Sequence, residues 1–302
     1  MAIRIGTRGS KLARWQAEWV SAELAKHDVE TEIIYLKTLG DVKSGPIGAV
    51  GTQGVFTKEI QRALLDNQVD LAVHSLKDLP TEHTEGLSLA AVPPRERCGD
   101  ALIAKNVDSI DALPKGATVA TGSARRRAQL LAYRSDLNVC DLRGNVDTRL
   151  QKLADGDLDA IVLAEAGLHR LGLDSHISQV IPKSIMLPAV GQGALGLESR
   201  DDDVETREAI QPLHDPQTHQ CVLAERALLR GLRGGCLAPV GAWARMEFGT
   251  LALDAIVLDS HGAEQVKTSA KSPAEQCEEL GIRTANELIA LGADRLLDTA
   301  RN

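Results

Sequence analysis

A chain of 302 residues is long enough for two or three domains, each with its own buried core. Its 34 Lys plus Arg against 42 Asp plus Glu leave a net charge of −8, which confines any anion site to a local patch. Apolar residues at 43% and charged residues at 25% are ordinary for a globular protein, whereas aromatics at 2% argue against base-stacking platforms and interfacial belts, so neither nucleic acid nor a membrane is an expected partner.

The opening MAIRIGTRGS has no apolar stretch behind a basic one, and the expected location is the cytoplasm. Residues 2–6 alternate like a strand, TRGS breaks the pattern, and Leu12, Trp15, Trp19 and Leu24 share one face of a helix over 11–26. A second strand is expected at 31–37, followed by a long glycine-rich loop, functional or mobile, and a helix at 56–67. VDLAVHS (69–75) reads as a third strand leading to Lys77, Asp78 and Pro80, and 87–92 as another that stops at the boundary Pro93–Pro94. The same order restarts with a strand at 117–121, an N-cap signal at Gly122–Ser123 and a helix from Ala124. A strand at 138–142, the turn Arg143–Gly144–Asn145, a helix at 146–156 and the segment 159–173 repeat it.

Strands alternating with helices predict open α/β sheets, mostly parallel, doubly wound with helices on both faces. Two such lobes fit 1–93, with 194–211, and 99–187. After LPAVGQGALGLESR the expectation is a helix from Pro216, strands at 239–246, 250–258 and 263–269, and helix again over 273–300: a small C-terminal α+β domain, 216–302.

The informative feature is where the charges sit. Arg8 follows the first strand, Lys77 and Asp78 the third, Arg125 to Arg127 open a helix after a strand, and Arg143 and Arg149 follow another. Ligands bind at the carboxyl ends of strands in open α/β sheets, where helix N-termini also face anions. Any one of these arginines could lie on a solvated helix face; four strand ends together favour a crevice for carboxylates or phosphates. Asp78 is either a turn carboxylate before Pro80 or the one acid inside that cationic cleft, able to stabilise developing positive charge or move a proton.

Among the cysteines, Cys98, Cys140, Cys221 and Cys277 read as small buried hydrophobes. Cys236, in LRGGCLAPVGA, sits on a tight exposed loop where Gly234 and Gly235 let backbone approach a ligand and Arg233 favours the thiolate. There is no C-x-x-C pair and no H-x-x-x-H pair, so neither a disulfide framework nor a protein-bound metal is expected. GQGALG (191–196) matches a dinucleotide fingerprint, but Pro188 interrupts the strand that should precede it, and a hinge between lobes is the better reading.

The motifs TRGSKLARWQA (7–17), GVFTKEI (54–60), DLAVHSLKDLP (70–80), ATGSARRR (120–127), LRGNVDTRL (142–150), AGLHRLGL (166–173), LPAVGQGA (187–194) and AERALLRGLRGGC (224–236) together resemble the porphobilinogen deaminase family. The resemblance implies two lobes like those of type II periplasmic binding proteins plus a third domain, and a monomeric enzyme that condenses four porphobilinogen molecules to the linear tetrapyrrole hydroxymethylbilane with loss of ammonia. It implies a dipyrromethane cofactor joined by a thioether to Cys236, and Asp78 as the residue that assists ammonia loss, stabilises the azafulvene cation and handles protons. Ser75, Lys77, Asp78, Ser123, Arg125, Arg126, Arg143 and Gly144 would hold the cofactor. Arg8, Ser10, Phe56, Arg143, Arg149, Arg170 and Gln192 would meet substrate, which brings two carboxylates per ring. Residues 40–55 would be a mobile lid. The chain departs from many relatives at Ala49, Gln53, Asp147 and Leu237, which bears on lid charge and substrate binding. The rival from another class is a non-catalytic two-lobe anion-binding protein; a phosphate-ester transferase lacks a phosphate loop.

Overall fold

In the computed structural model, which describes residues 2–36, 57–235 and 238–301, the chain forms two compact units, Met1–Glu96 with Ala194–His219 and Arg97–Gly193 with Gln220–Asn302. The first unit opens with β1 (Ile3–Arg8), α1 (Lys11–Ala25), β2 (Thr31–Leu36), α2 (Lys58–Leu65), β3 (Leu71–Ser75) and β4 (Leu87–Ala91). The chain then builds β5 (Asp100–Ala104), β6 (Thr118–Ala120), α3 (Ala124–Tyr133), β7 (Asn138–Cys140), α4 (Val146–Asp155), β8 (Ala160–Ala164), α5 (Glu165–Arg170) and β9 (Gln179–Ile181) of the second unit. It returns to the first with β10 (Leu195–Arg200) and α6 (Val204–Ile210), then continues through α7 (Pro216–Gly231), β11 (Val240–Glu247), β12 (Thr250–Leu258), β13 (Gln265–Ser272), α8 (Cys277–Ala290) and α9 (Ala293–Arg301).

The first sheet runs β2-β1-β3-β10-β4 and the second β7-β6-β8-β5-β9, the same order with one strand brought in from elsewhere in the chain. β1 is parallel to β2 and β3, and β6 to β7 and β8. The inserted strands β10 and β5 are antiparallel to both neighbours, so the other four strands of each sheet share one direction: the sheets are mostly parallel as expected, each with one reversed strand. Neither inserted strand stands out in the sequence. Both are covered on two faces, which removes the apolar–polar alternation that marks a half-buried strand.

Each sheet is doubly wound. In the first unit Ile3, Ile5, Leu71 and Val73 pack with Ala17, Val20 and Leu24 of α1, while Ala72, on the other face, packs with Ile60, Ala63 and Leu64 of α2. In the second, Val119 and Val162 pack with Leu130 of α3, and Ala120 and Ile161 with Leu153 of α4 and Leu168 of α5. Asp70, just before β3, ties that sheet at the end away from the turn Leu76–Asp78: it accepts from Arg4 of β1 at 2.7 Å and from Arg200 of β10 at 3.1 Å. Burial alone would push its carboxyl up; the hydrogen bonds from Arg4 and Arg200 overcome this and lower it to about 2.

The C-terminal part is a three-stranded antiparallel sheet, β11-β12-β13, packed on α7, α8 and α9. The helix expected over 273–300 is broken at Leu291–Gly292, where Gly292 has φ +98 and separates α8 from α9. α7 begins at Pro216 as expected, with Asp215 Oδ1 accepting from the Thr218 N–H at 2.6 Å. Among the described residues no helix is long and apolar enough to cross a membrane.

Candidate active site

In the first unit the parallel pairing of β1 and β3 brings the residues after both strands to one sheet edge. Thr7 is fully buried and donates from Oγ1 to the Ala13 carbonyl, and Ser10 caps α1 by accepting from the Ala13 N–H at 3.3 Å. Beyond β3, Lys77 and Asp78 lie in a short 3₁₀ turn over Leu76–Asp78, whose first N–H bonds the Ala194 carbonyl at 3.0 Å. Arg8, Ser10, Gln16, Thr57, Ser75 and Asp78 line one recess, so Asp78 is an acid beside a guanidinium and two helix starts. Gln16 reaches from α1 to Ser75, its amide donating to Oγ at 2.8 Å, and so fixes the hydroxyl at the end of β3.

Beneath the recess lies a buried polar chain that the sequence motifs did not single out. His74 Nε2 is 3.0 Å from Glu198 Oε2, and Gln61 donates to Glu198 Oε1 at 2.9 Å. His74 is 4% and Glu198 5% exposed. An acid within the buried strand LGLESR is the signal that could have found it, since a buried charge requires partners.

In the second unit the parallel strands β6, β7 and β8 deliver Ser123–Arg126, Arg143–Gly144 and Glu165–Arg170 to one edge. Arg125 and Arg126 are buried and share a single acid, Asp100, the first residue of β5. Arg125 Nη1 donates to Asp100 Oδ2 at 2.7 Å and Arg126 Nε to Oδ1 at 2.8 Å. Burial would push the Asp100 carboxyl up; the two guanidiniums prevail and hold it well below the usual carboxylate range. Burial pulls Arg126 below the ordinary guanidinium value, with Asp100 opposing. The trio carries one surplus positive charge, and Arg125 Nε is buried with no hydrogen-bond partner among the described residues. Arg127, the third of the run, is structural: its Nη1 donates to the Val139 carbonyl at 2.7 Å.

Gln192 is expected to meet substrate but is 1% exposed, and its amide donates to the carbonyls of Cys98 and Gly99 and to Asp100 Oδ1, all within 3.0 Å. Its turn is braced in its own right: Glu225 of α7 accepts from the Gly191 N–H at 2.7 Å and, with its other oxygen, from Ala244 of β11 at 2.8 Å. The turn leads into β10 rather than a helix, which disposes of GQGALG as a dinucleotide loop. Arg170 is likewise buried and donates to the Gly193 carbonyl at 2.7 Å. Arg143 is exposed, and Arg149 donates from Nε to the Gly144 carbonyl at 2.8 Å. Gly144 has φ +118 and an added Cβ would meet Thr148 at 2.9 Å, so the turn requires glycine. Asp147 falls in the first turn of α4, where an acid suits the helix dipole.

Phe56, Ala49, Gln53 and the rest of 40–55, and Cys236 with Leu237, lie outside the described residues. The approach to Cys236 is described: α7 ends with the Gly234 N–H bonded to the Leu229 carbonyl and Arg233 at φ +50, so the left-handed residue is the arginine and not a glycine. Cys221 and Cys277 are buried as expected, whereas Cys98 and Cys140 are only half-buried; none of the four is in a disulfide.

Two family models match in tandem. "Porphobilinogen deaminase, dipyromethane cofactor binding domain" covers residues 3–208, and "Porphobilinogen deaminase, C-terminal domain" covers 219–290. The chain belongs to the porphobilinogen deaminase family. Relatives of that name include one from Chlorobium chlorochromatii, 48% identical over 98% of this chain and 97% of that protein. Others are from Chloroherpeton thalassium, at 46% over 98% and 96%, and Maridesulfovibrio salexigens, at 46% over 98% and 97%. Solved structures of similar shape include the methionine binding protein MetQ, with 14% identity and a TM-score of 0.45 over 72% of this chain and 90% of that one. A periplasmic substrate-binding protein from Coxiella burnetii gives 16% and 0.44 over 74% and 96%. The residues present fit the family's cofactor, a group rich in carboxylates: the orphaned Arg125 Nε and the surplus charge beside it are donors for an anion.

Proposed function

We propose that this chain joins four porphobilinogen molecules head to tail into hydroxymethylbilane, releasing ammonia at each step, on a dipyrromethane held by a thioether to Cys236. The tandem match of the two family models carries the reading. Membership makes the chain a transferase of tetrapyrrole and haem biosynthesis, and we place it in the cytoplasm as a monomer of three domains, one for each sheet, working without nucleic acid or membrane.

When bound, the cofactor supplies the pyrrole α-carbon to which the first substrate is joined. Asp78 acts on the substrate: it gives a proton toward the departing amine, opposes the positive charge left as the C–N bond breaks, and takes up the proton lost when the new C–C bond restores the aromatic ring. Its position in a recess with Arg8 and two helix N-termini supports this, because donors for carboxylates then surround a single acid. Ser75, Lys77, Ser123, Arg125, Arg126, Arg143 and Gly144 hold the cofactor, and Arg8, Ser10, Phe56, Arg143 and Arg149 the substrate. Gln192 and Arg170 act indirectly, by fixing Asp100 beside Arg125 and Arg126 and by holding the Gly193 carbonyl.

Intact mass of the denatured protein tests this. An increment of two pyrrole units is expected, absent in Cys236→Ser together with all ammonia release from porphobilinogen. An active preparation of unmodified mass refutes the cofactor assignment.

A further inference from the structure

Two helix starts line the recess of the first unit, and they behave differently. Ser10 caps α1 through its hydroxyl. Thr57 stands at the same place before α2, with φ −120 and ψ −26, and makes no capping bond. Its residue is 1% exposed, yet Oγ1 is buried with no hydrogen-bond partner among the described residues. Folded proteins leave few hydroxyls in that state, and a Thr that accepts no capping bond and donates none has its whole hydroxyl available to a ligand.

We propose that Thr57 is a specificity-determining residue: its hydroxyl, at the start of α2, binds one side-chain carboxylate of the incoming pyrrole. This rests on the function proposed above. The first N–H groups of a helix have no intrahelical partner and carry the positive end of its dipole, so a carboxylate entering there gains several donors at once. Arg8 brings a full positive charge to the same recess, and Asp78 its acid. Donors for an anion together with one carboxylate suit a ligand that carries both a carboxylate and an N–H or amine, as porphobilinogen does.

Thr57→Val keeps the shape of the side chain and removes the hydroxyl, and Thr57→Ser keeps the hydroxyl. Steady-state ammonia release from porphobilinogen, intact mass and thermal unfolding without substrate are measured for both and for the parent. KM is expected to rise about tenfold in Thr57→Val with kcat within about twofold, the size of a lost hydrogen bond to a charged group, and to stay within about twofold in Thr57→Ser. The covalent mass increment should be unchanged. Thr57→Val should unfold no lower than the parent, because it discards an unsatisfied buried group. An unchanged KM in Thr57→Val, or a fall confined to kcat, overturns the inference; so does a lowered unfolding temperature with normal kinetics, which marks a structural hydroxyl. Failure of the parent itself to release ammonia or carry the increment refutes the functional reading instead.

Discussion

Asp100 Oδ2 accepts a hydrogen bond from Arg125 Nη1 at 2.7 Å while Oδ1 serves Arg126 and the Gln192 amide, so one buried acid orients two neighbouring guanidiniums. The chain of support continues outward, from Gln192 through the Gly191 N–H to Glu225 and then to β11. The C-terminal sheet thereby braces the arginine edge of its own unit.

Removing the acid leaves two buried cations unopposed. Asp100→Asn is expected to destabilise the protein by about 3–5 kcal/mol, and Gln192→Leu by about 1–3 kcal/mol, read from urea midpoints. Equal stability of Asp100→Asn and the parent would show that the guanidiniums find other partners.

Acid should act through the same groups. Both Asp70 and Asp100 titrate lower in the folded chain than the ordinary value of 3.8, so their contribution is complete above that value and is lost as the pH falls through the folded one. For Asp70 the window runs from 3.8 down to about 2, and for Asp100 it extends lower. Unfolding temperature measured against pH should fall through this range, and the fall should be shallower in Asp70→Asn. An identical slope would remove Asp70 from the acid response.

The role proposed for Asp78 predicts an effect on chemistry more than on stability, since the residue is half-buried at a turn. Asp78→Asn should fold with the parent's circular dichroism and lose turnover by about 10²–10⁴-fold, the range of a missing acid–base group. Ordinary ammonia release from that variant would dismiss the assigned role.

Gly281 lets α8 cross α7 closely: an added Cβ would lie 2.3 Å from the Ala224 carbonyl oxygen and 2.8 Å from Leu228 N. Backbone cannot yield as a side chain can, so Gly281→Ala is expected to cost about 1–3 kcal/mol of stability. Differential calorimetry checks this, and an unaltered transition would mean that the two helices can separate at no cost.

The strand alternation at 2–6, the helix face of α1, the proline at the start of α7 and the cations at strand ends were all legible in the sequence, because each is a local pattern of period or position. Asp100 and Glu198 were not. Each lies on an inserted antiparallel strand, and antiparallel pairing decides where its residues fall: Asp100 sits opposite Ala164 at the end of β8, and Leu195 opposite Ser75 at the end of β3. Which acid meets Arg125, and which one meets His74, therefore depends on sheet order and register between segments far apart in the chain, and no local spacing carries that information.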